Sequence, residues 1–223
     1  MNLGQITDNV LRRLTESQTT GATVTWVRAD VQASINDGYL DFCEQTSMIE
    51  REAEISSVAG LPYMDMRTAF AYPFLGLRRM YSRAASQTLR PTSIKLLDSR
   101  DNRLEMGGAS ALRFFTRGLY VLGLYPVPST GQQFRVSITS LPDQMCDETD
   151  EPELPEEFHE ALEPFACSDL KALESEADLA VAYWQEYMAF VARGQKYSGD
   201  QIKTSRSFTM GEPQPEFSVT VHE

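Results

Sequence analysis

Histidine, cysteine and basic charge are all scarce in this chain of 223 residues. The two histidines, His159 and His222, and the three cysteines, Cys43, Cys146 and Cys167, stand far apart with no CxxC pair. That excludes a disulfide framework or a zinc knuckle and reads as buried, reduced thiols made in a cytoplasm. The opening MNLGQITDNVLRRL is amphipathic and lacks the apolar stretch of a secretory signal. No run approaches the ~18 apolar residues of a membrane span, so neither secretion by that route nor a membrane is expected. Lys and Arg number 20 against 32 Asp and Glu, a formal net charge of −12, which disfavours wrapping nucleic-acid phosphates. GxSxG, the P-loop and the Rossmann glycine motif are absent, and no cofactor is expected.

What is present alternates between helical and strand periods. Leu3, Ile6, Val10 and Leu14 form one apolar stripe of a short helix over residues 3–17. Thr25 fits an N-cap for a second, long helix from Trp26 to about Met48, with Val27, Val31, Ile35, Tyr39 and Phe42 on one face. The period then falls to two through EAEISSVAG, YMDM, LRRMYSR, RFFTRGLYVLGLYPVP and QFRVSITSLP, with PSTGQ as a turn. Phe114, Phe115, Tyr120 and Tyr125 near Arg113 and Arg117 have the make-up of a nucleotide-stacking surface, but alternation explains them as core and rim. Helical periodicity returns after Pro155, with Phe158, Leu162, Phe165 and Leu170 inward. Pro164 should kink this helix unless its first turn is offset. A last helix, Ala177 to about Lys196, carries Ala180, Trp184, Met188 and Val191 on one face, beside Tyr183, Tyr187 and Phe190.

Charge is divided unevenly. Residues 147–178 hold 13 Asp or Glu against Lys171 alone, a balance of −12, whereas residues 67–117 hold ten Lys or Arg against three acids, or +7. Opposite patches of this kind favour head-to-tail association between copies. Within the acidic part, HEALE at 159–163 falls one residue short of the HExxH zinc motif, because Glu163 stands where the second histidine belongs. Metal is therefore not expected. Glu156, Glu157 and Glu160 are explained by the helix dipole, which favours carboxylates in a first turn. The alternative is a hydrolase using Glu157 or Glu160 as acid or base.

The order LPEEFHEALEPFACSDL, the acidic break ESEAD, then LAVAYWQEYMAFV resembles the C-terminal helix pair of head-to-tail adaptor proteins from short-tailed bacteriophages. TWVRADVQASINDGYLDFCE, LYVLGLYPVPSTGQQFRVSI and DETDEPELPEEF fall in the order expected of that family. The resemblance implies a non-enzymatic virion protein, made in the host cytoplasm. It implies a ring, usually dodecameric, beneath the portal protein, which continues the DNA channel and offers a platform to tail or nozzle proteins. DNA would pass transiently without specific binding. Another neck or tail-tube ring protein is the remaining structural alternative.

The expected fold is α+β. An antiparallel helical bundle of two N-terminal and two C-terminal helices, residues 1–48 and 147–198, carries an inserted small antiparallel β domain, 49–146. An extended tail, 199–223, follows, in which Phe208, Met210, Phe217, Val219 and Val221 are candidate partner-binding residues. Glu156, Glu157 and Glu160 are candidates for a DNA-channel or inter-subunit acidic face. Each helix has one good apolar face, with no second long stripe.

Overall fold

The computed structural model describes residues 1–16, 26–70, 74–101, 107–108, 110–118 and 120–207, with only the backbone described at 74, 98–101 and 200–207. It is a mixed α and β structure with two apolar cores. Helix α1, Leu3–Glu16, buries the expected stripe of Leu3, Ile6, Val10 and Leu14. Asn2 and Gln5 close its start reciprocally, the Gln5 amide donating to Asn2 Oδ1 at 2.9 Å and the Asn2 amide to Gln5 Oε1 at 3.1 Å. The next free amides, of Leu3 and Gly4, donate to the carbonyls of Asp150 and Glu148 at 2.8 and 2.9 Å. The acidic loop, residues 141–155, is thus stitched to α1 by its backbone.

Helix α2, Arg28–Thr46, starts later than expected. Val27 is its N-cap, without a side-chain bond, and lies exposed, while Thr25 falls outside the described residues. Val31, Ile35, Tyr39 and Phe42 are buried as the spacing predicts. At Gly38 a Cβ would stand 2.6 Å from the Phe165 ring, so only glycine admits this approach of a later helix.

Residues Glu156–Ala161 form a 3₁₀ turn after Pro155, and α5, Leu162–Leu173, begins behind it. Pro164 therefore sits in the first turn of α5, where no earlier carbonyl needs its missing N–H, and the offset replaces a kink. Ser175 turns the chain in a left-handed conformation, φ 64°, into α6, Ala177–Ser207. These helices and the 3₁₀ turn share one core in which Tyr39, Phe42, Phe158, Leu162, Cys167 and Tyr187 are buried. Each such apolar side chain contributes on the order of 1.5–3 kcal/mol.

Two expectations for α6 are corrected. Its buried row is Ala180, Tyr187 and Val191, whereas Trp184 and Met188 remain 42% and 38% exposed. Together with Val181, 55% exposed, they make an outward apolar row that a single-faced helix would lack. The helix also runs to Ser207 rather than giving way to extended chain at 199. Gly199 costs a helix only about 1 kcal/mol, and no proline intervenes before Pro213. Phe208, Met210, Phe217, Val219 and Val221 lie outside the described residues.

The described residues between α2 and the acidic loop form two four-stranded sheets and a small two-stranded one. The strands are β1 Glu50–Ser56, β2 Tyr63–Asp65, β3 Phe74–Ser82, β4 Gln87–Thr88, β5 Arg90–Pro91, β6 Gly107–Gly108, β7 Arg113–Arg117, β8 Val121–Tyr125, β9 Val127–Pro128 and β10 Gln133–Ser140. Short helices α3, Met66–Ala69, and α4, Ile94–Asp101, interrupt them. The first sheet runs β1-β10-β3-β4 and the second β2-β8-β7-β5. Ile55, Met80, Phe134 and Val136 of the first share a core with Phe114, Leu122 and Leu124 of the second. The sheets are not wholly antiparallel, since β5 with β7 and β6 with β9 pair parallel. Nor does PSTGQ close a hairpin, because β8 and β10 lie in different sheets. Alternation reveals which face of a strand is buried, not its neighbour.

The two parts are joined where β1 leaves α2 and β10 leads into the acidic loop. Arg78 donates to the Ser47 carbonyl at 2.6 Å and pairs with Glu50 at 3.0 Å, while Arg51 pairs with Asp143 at 3.1 Å and Glu153 at 2.7 Å. Asn36 of α2 exchanges two bonds with the Met145 backbone, both at 3.0 Å. Cys43 and Cys167 are buried, but Cys146, in this loop, is exposed, contrary to expectation. No described helix is long and apolar enough to cross a membrane.

Candidate assembly surfaces

The 3₁₀ turn sorts the residues of the acidic segment by side. Phe158, His159 and Ala161 point into the core and Glu156, Glu157 and Glu160 out to solvent. The near-match to a zinc motif is divided between separate tasks. His159 Nε2 lies 2.9 Å from the Leu154 carbonyl, which can only accept, so this nitrogen carries the proton. Nδ1 is then the acceptor for the Met1 amino group at 2.8 Å. Glu163 is buried, accepts from Asn9 Nδ2 at 2.7 Å and pairs with Arg13 at 3.1 Å. Burial holds its pKa above the ordinary value against the opposing pull of Asn9 and Arg13. Among the described residues no group of three or more His, Cys, Asp or Glu is placed to hold a metal. Glu157 and Glu160, the hydrolase candidates, stand on open surface.

Much of the acidic run is consumed internally. Lys171, its single base, is fully buried, with Nζ 2.7 Å from Glu174 and 3.1 Å from Glu176. Trp26 Nε1 donates to the other oxygen of Glu174 at 2.9 Å. Glu148 pairs with Arg28 at 3.0 Å, and Asp150 accepts from the Cys146 and Asp147 amides at 2.8 Å each. The amides hold the Asp150 carboxyl below the usual range. Among the described residues Glu151, Glu156, Glu157 and Glu160 make no ion pair, and all four are exposed.

The basic region yields a complementary surface on the outer face of the first sheet. The register sets Glu52, Ser137 and Arg79 in one cross-strand row, and Glu54, Arg135 and Tyr81 in the next. With Arg83 they surround a concavity of about 400 Å³ lined by Glu52, Arg79, Tyr81, Arg83, Arg135 and Ser137. Arg83 is paired with Glu54, but Arg135 stands 3.8 Å from Glu52. Arg79 donates to Thr88 Oγ1 at 3.1 Å and, among the described residues, makes no ion pair. Arg135 comes from a strand beyond the basic stretch 67–117, which is why reading charge along the chain missed it.

The aromatic and arginine residues of the second sheet are divided as core and rim. Phe114 and Phe115 are buried, Tyr120 is exposed under the Arg67 guanidinium at 5.2 Å, and Arg117 lies over Tyr63 at 5.9 Å. Arg67 is held by Asp65 at 2.7 Å.

A family model described as SU10 adaptor protein matches residues 1–209, which includes both cores and all three surfaces: the acidic turn, the basic concavity and the apolar row of α6. No curated protein matches the chain.

Proposed function

The chain belongs to the SU10 adaptor protein family, and from that premise we propose that it is a structural protein of a bacteriophage virion, the head-to-tail adaptor. Copies form a ring beneath the portal protein, extend the DNA channel and present a platform to tail or nozzle proteins. The single observation that carries this reading is the family match over all of the described residues. The surfaces agree with it, because unpaired carboxylates, a basic concavity and the outward row of Val181, Trp184 and Met188 suit contacts between copies better than catalysis.

In this reading residues 1–48 and 147–198 are the helical body of the adaptor and 49–146 its inserted β part. Glu156, Glu157 and Glu160 face either the channel or a neighbouring copy; a channel wall that repels phosphate lets DNA pass without attachment. Residues 208–223 capture a partner, with Phe208, Met210, Phe217, Val219 and Val221 as anchors along a sheet edge. The test is co-sedimentation with the cognate portal protein, comparing the full chain with one ending at Ser207. The full chain should attach and the shortened one lose most of its attachment with an unchanged melt. A full chain that does not attach contradicts the adaptor role, and full attachment by the shortened chain contradicts the role of the tail.

A further inference from the structure

We propose that the concavity on the outer face of the first sheet is a carboxylate seat, occupied by the exposed carboxylates of Glu151, Glu156, Glu157 and Glu160 of a second copy of this chain. The proposal rests on the ring reading and names which two surfaces meet in it. The concavity gathers three guanidinium groups, of Arg79, Arg83 and Arg135, against the one lining carboxylate of Glu52. Among the described residues only Arg83 has its charge closely met, by Glu54, and the Glu52 contact of Arg135 at 3.8 Å is longer than a hydrogen bond. Arg79 has one described bond, to a neutral hydroxyl, and a guanidinium carries five donors in a fork that fits a carboxylate. Tyr81, half-buried between these arginines, gives the floor an aromatic plane.

The occupant follows from charge and from topology. Glu151, Glu156, Glu157 and Glu160 are the complement, exposed and without ion pairs among the described residues. In their own chain Glu156, Glu157 and Glu160 are held on the 3₁₀ turn by Phe158 and Ala161 in the helical core, and among the described residues none of the four carboxylates pairs with an arginine of the concavity. Two different patches meeting between copies make a heterologous contact, which closes into a ring when the rotation permits. A nucleic-acid phosphate is disfavoured, because the chain carries a formal charge of −12 and Glu52 and Glu54 flank the arginines.

The test is a charge exchange on full-length protein. One variant carries Arg79→Glu and Arg135→Glu, the other Glu156→Arg, Glu157→Arg and Glu160→Arg; all five side chains are exposed, and unchanged melts verify folding. Association between fluorescently labelled copies is measured at low and high salt. Wild-type copies should associate in a salt-sensitive manner, each variant alone should do so at least about tenfold more weakly, and an equal mixture should regain wild-type association because opposite charges again face each other. Absent wild-type association, variants that self-associate normally, or a mixture that fails to recover would overturn the seat. So would a short DNA duplex that binds the concavity and is lost with Arg79→Glu and Arg135→Glu. Attachment to portal, followed in parallel, separates the two ideas. Normal rings from each unmixed variant remove the seat and leave the adaptor. Charge-dependent self-association without portal attachment removes the adaptor and leaves the seat.

Discussion

Lys171→Met should be among the most damaging single substitutions in the helical part. The ammonium is fully buried at the turn between α5 and α6 and is held by Glu174 and Glu176, whose side chains are 9% and 27% exposed. Methionine matches its length but leaves two carboxylates facing each other without a cation. Removing one partner of a buried pair costs about 3–5 kcal/mol. Part of that is recovered, because Glu174 keeps the Trp26 indole and Glu176 still reaches water, so a loss of about 2–4 kcal/mol is expected. At about 2–4 °C per kcal/mol for a chain of this size, the melting temperature should fall by roughly 5–15 °C. Burial pushes the Lys171 pKa down, but Glu174 and Glu176 more than offset it and leave it raised above 10.5. A raised base stabilises the fold fully below its unfolded pKa and loses that contribution as pH rises through the folded value. The difference between wild type and variant should therefore persist at neutral pH and shrink only in strong alkali. Adding Glu174→Gln and Glu176→Gln to the variant should restore most of the stability, since an uncharged cluster has no uncompensated ion. Urea unfolding followed by circular dichroism reads all of these. A single variant within about 0.5 kcal/mol of wild type, the scatter of an ordinary surface change, would refute the reasoning.

Ellman's reagent should modify one thiol, Cys146, in the native protein and all three after unfolding, since Cys43 and Cys167 are buried and burial pushes the Cys167 pKa to about 12; fast reaction at a second thiol would contradict the packing. Glu163, raised by burial above 4.5, favours the folded state most when protonated, so wild-type stability relative to Glu163→Gln should fall as pH rises from about 4 through its folded pKa, and a gap that moves the other way in urea melts would show the sign wrong. Gly123→Ala should destabilise the β part by about 1–3 kcal/mol, because the added carbon would lie 2.3 Å from the Phe115 ring; Phe115→Leu in the same chain should relieve part of the loss, and additive losses would refute that contact as the cause.

The stripes of α1 and α2 were legible because Leu3, Ile6, Val10 and Leu14, or Val31, Ile35, Tyr39 and Phe42, leave no competing apolar row beside them. Helix α6 was harder to read, since Trp184 and Met188 stand one place along from Tyr183 and Tyr187, about 100° around the helix, and both rows are apolar. Its end is not marked in the sequence, because glycine weakens a helix without stopping it. Strand periods identified the β part but not the pairing, which is set between distant segments. The same limit hid the concavity, whose Glu52, Arg79 and Arg135 come from three strands that only the register brings together. Lys171 gave no sign of burial, because a lone base among acids has the same composition whether it is solvated or enclosed. The exposed carboxylates of the 3₁₀ turn, by contrast, were identifiable from their placement around Pro155 and Phe158.

The most direct measurement is electron cryomicroscopy of the full chain bound to its portal protein. The account predicts a closed ring of copies coaxial with the portal channel, in which the 151–160 segment of each copy lies against Arg79 and Arg135 of its neighbour. Absence of any ring on the portal, with folded protein in excess, would contradict it.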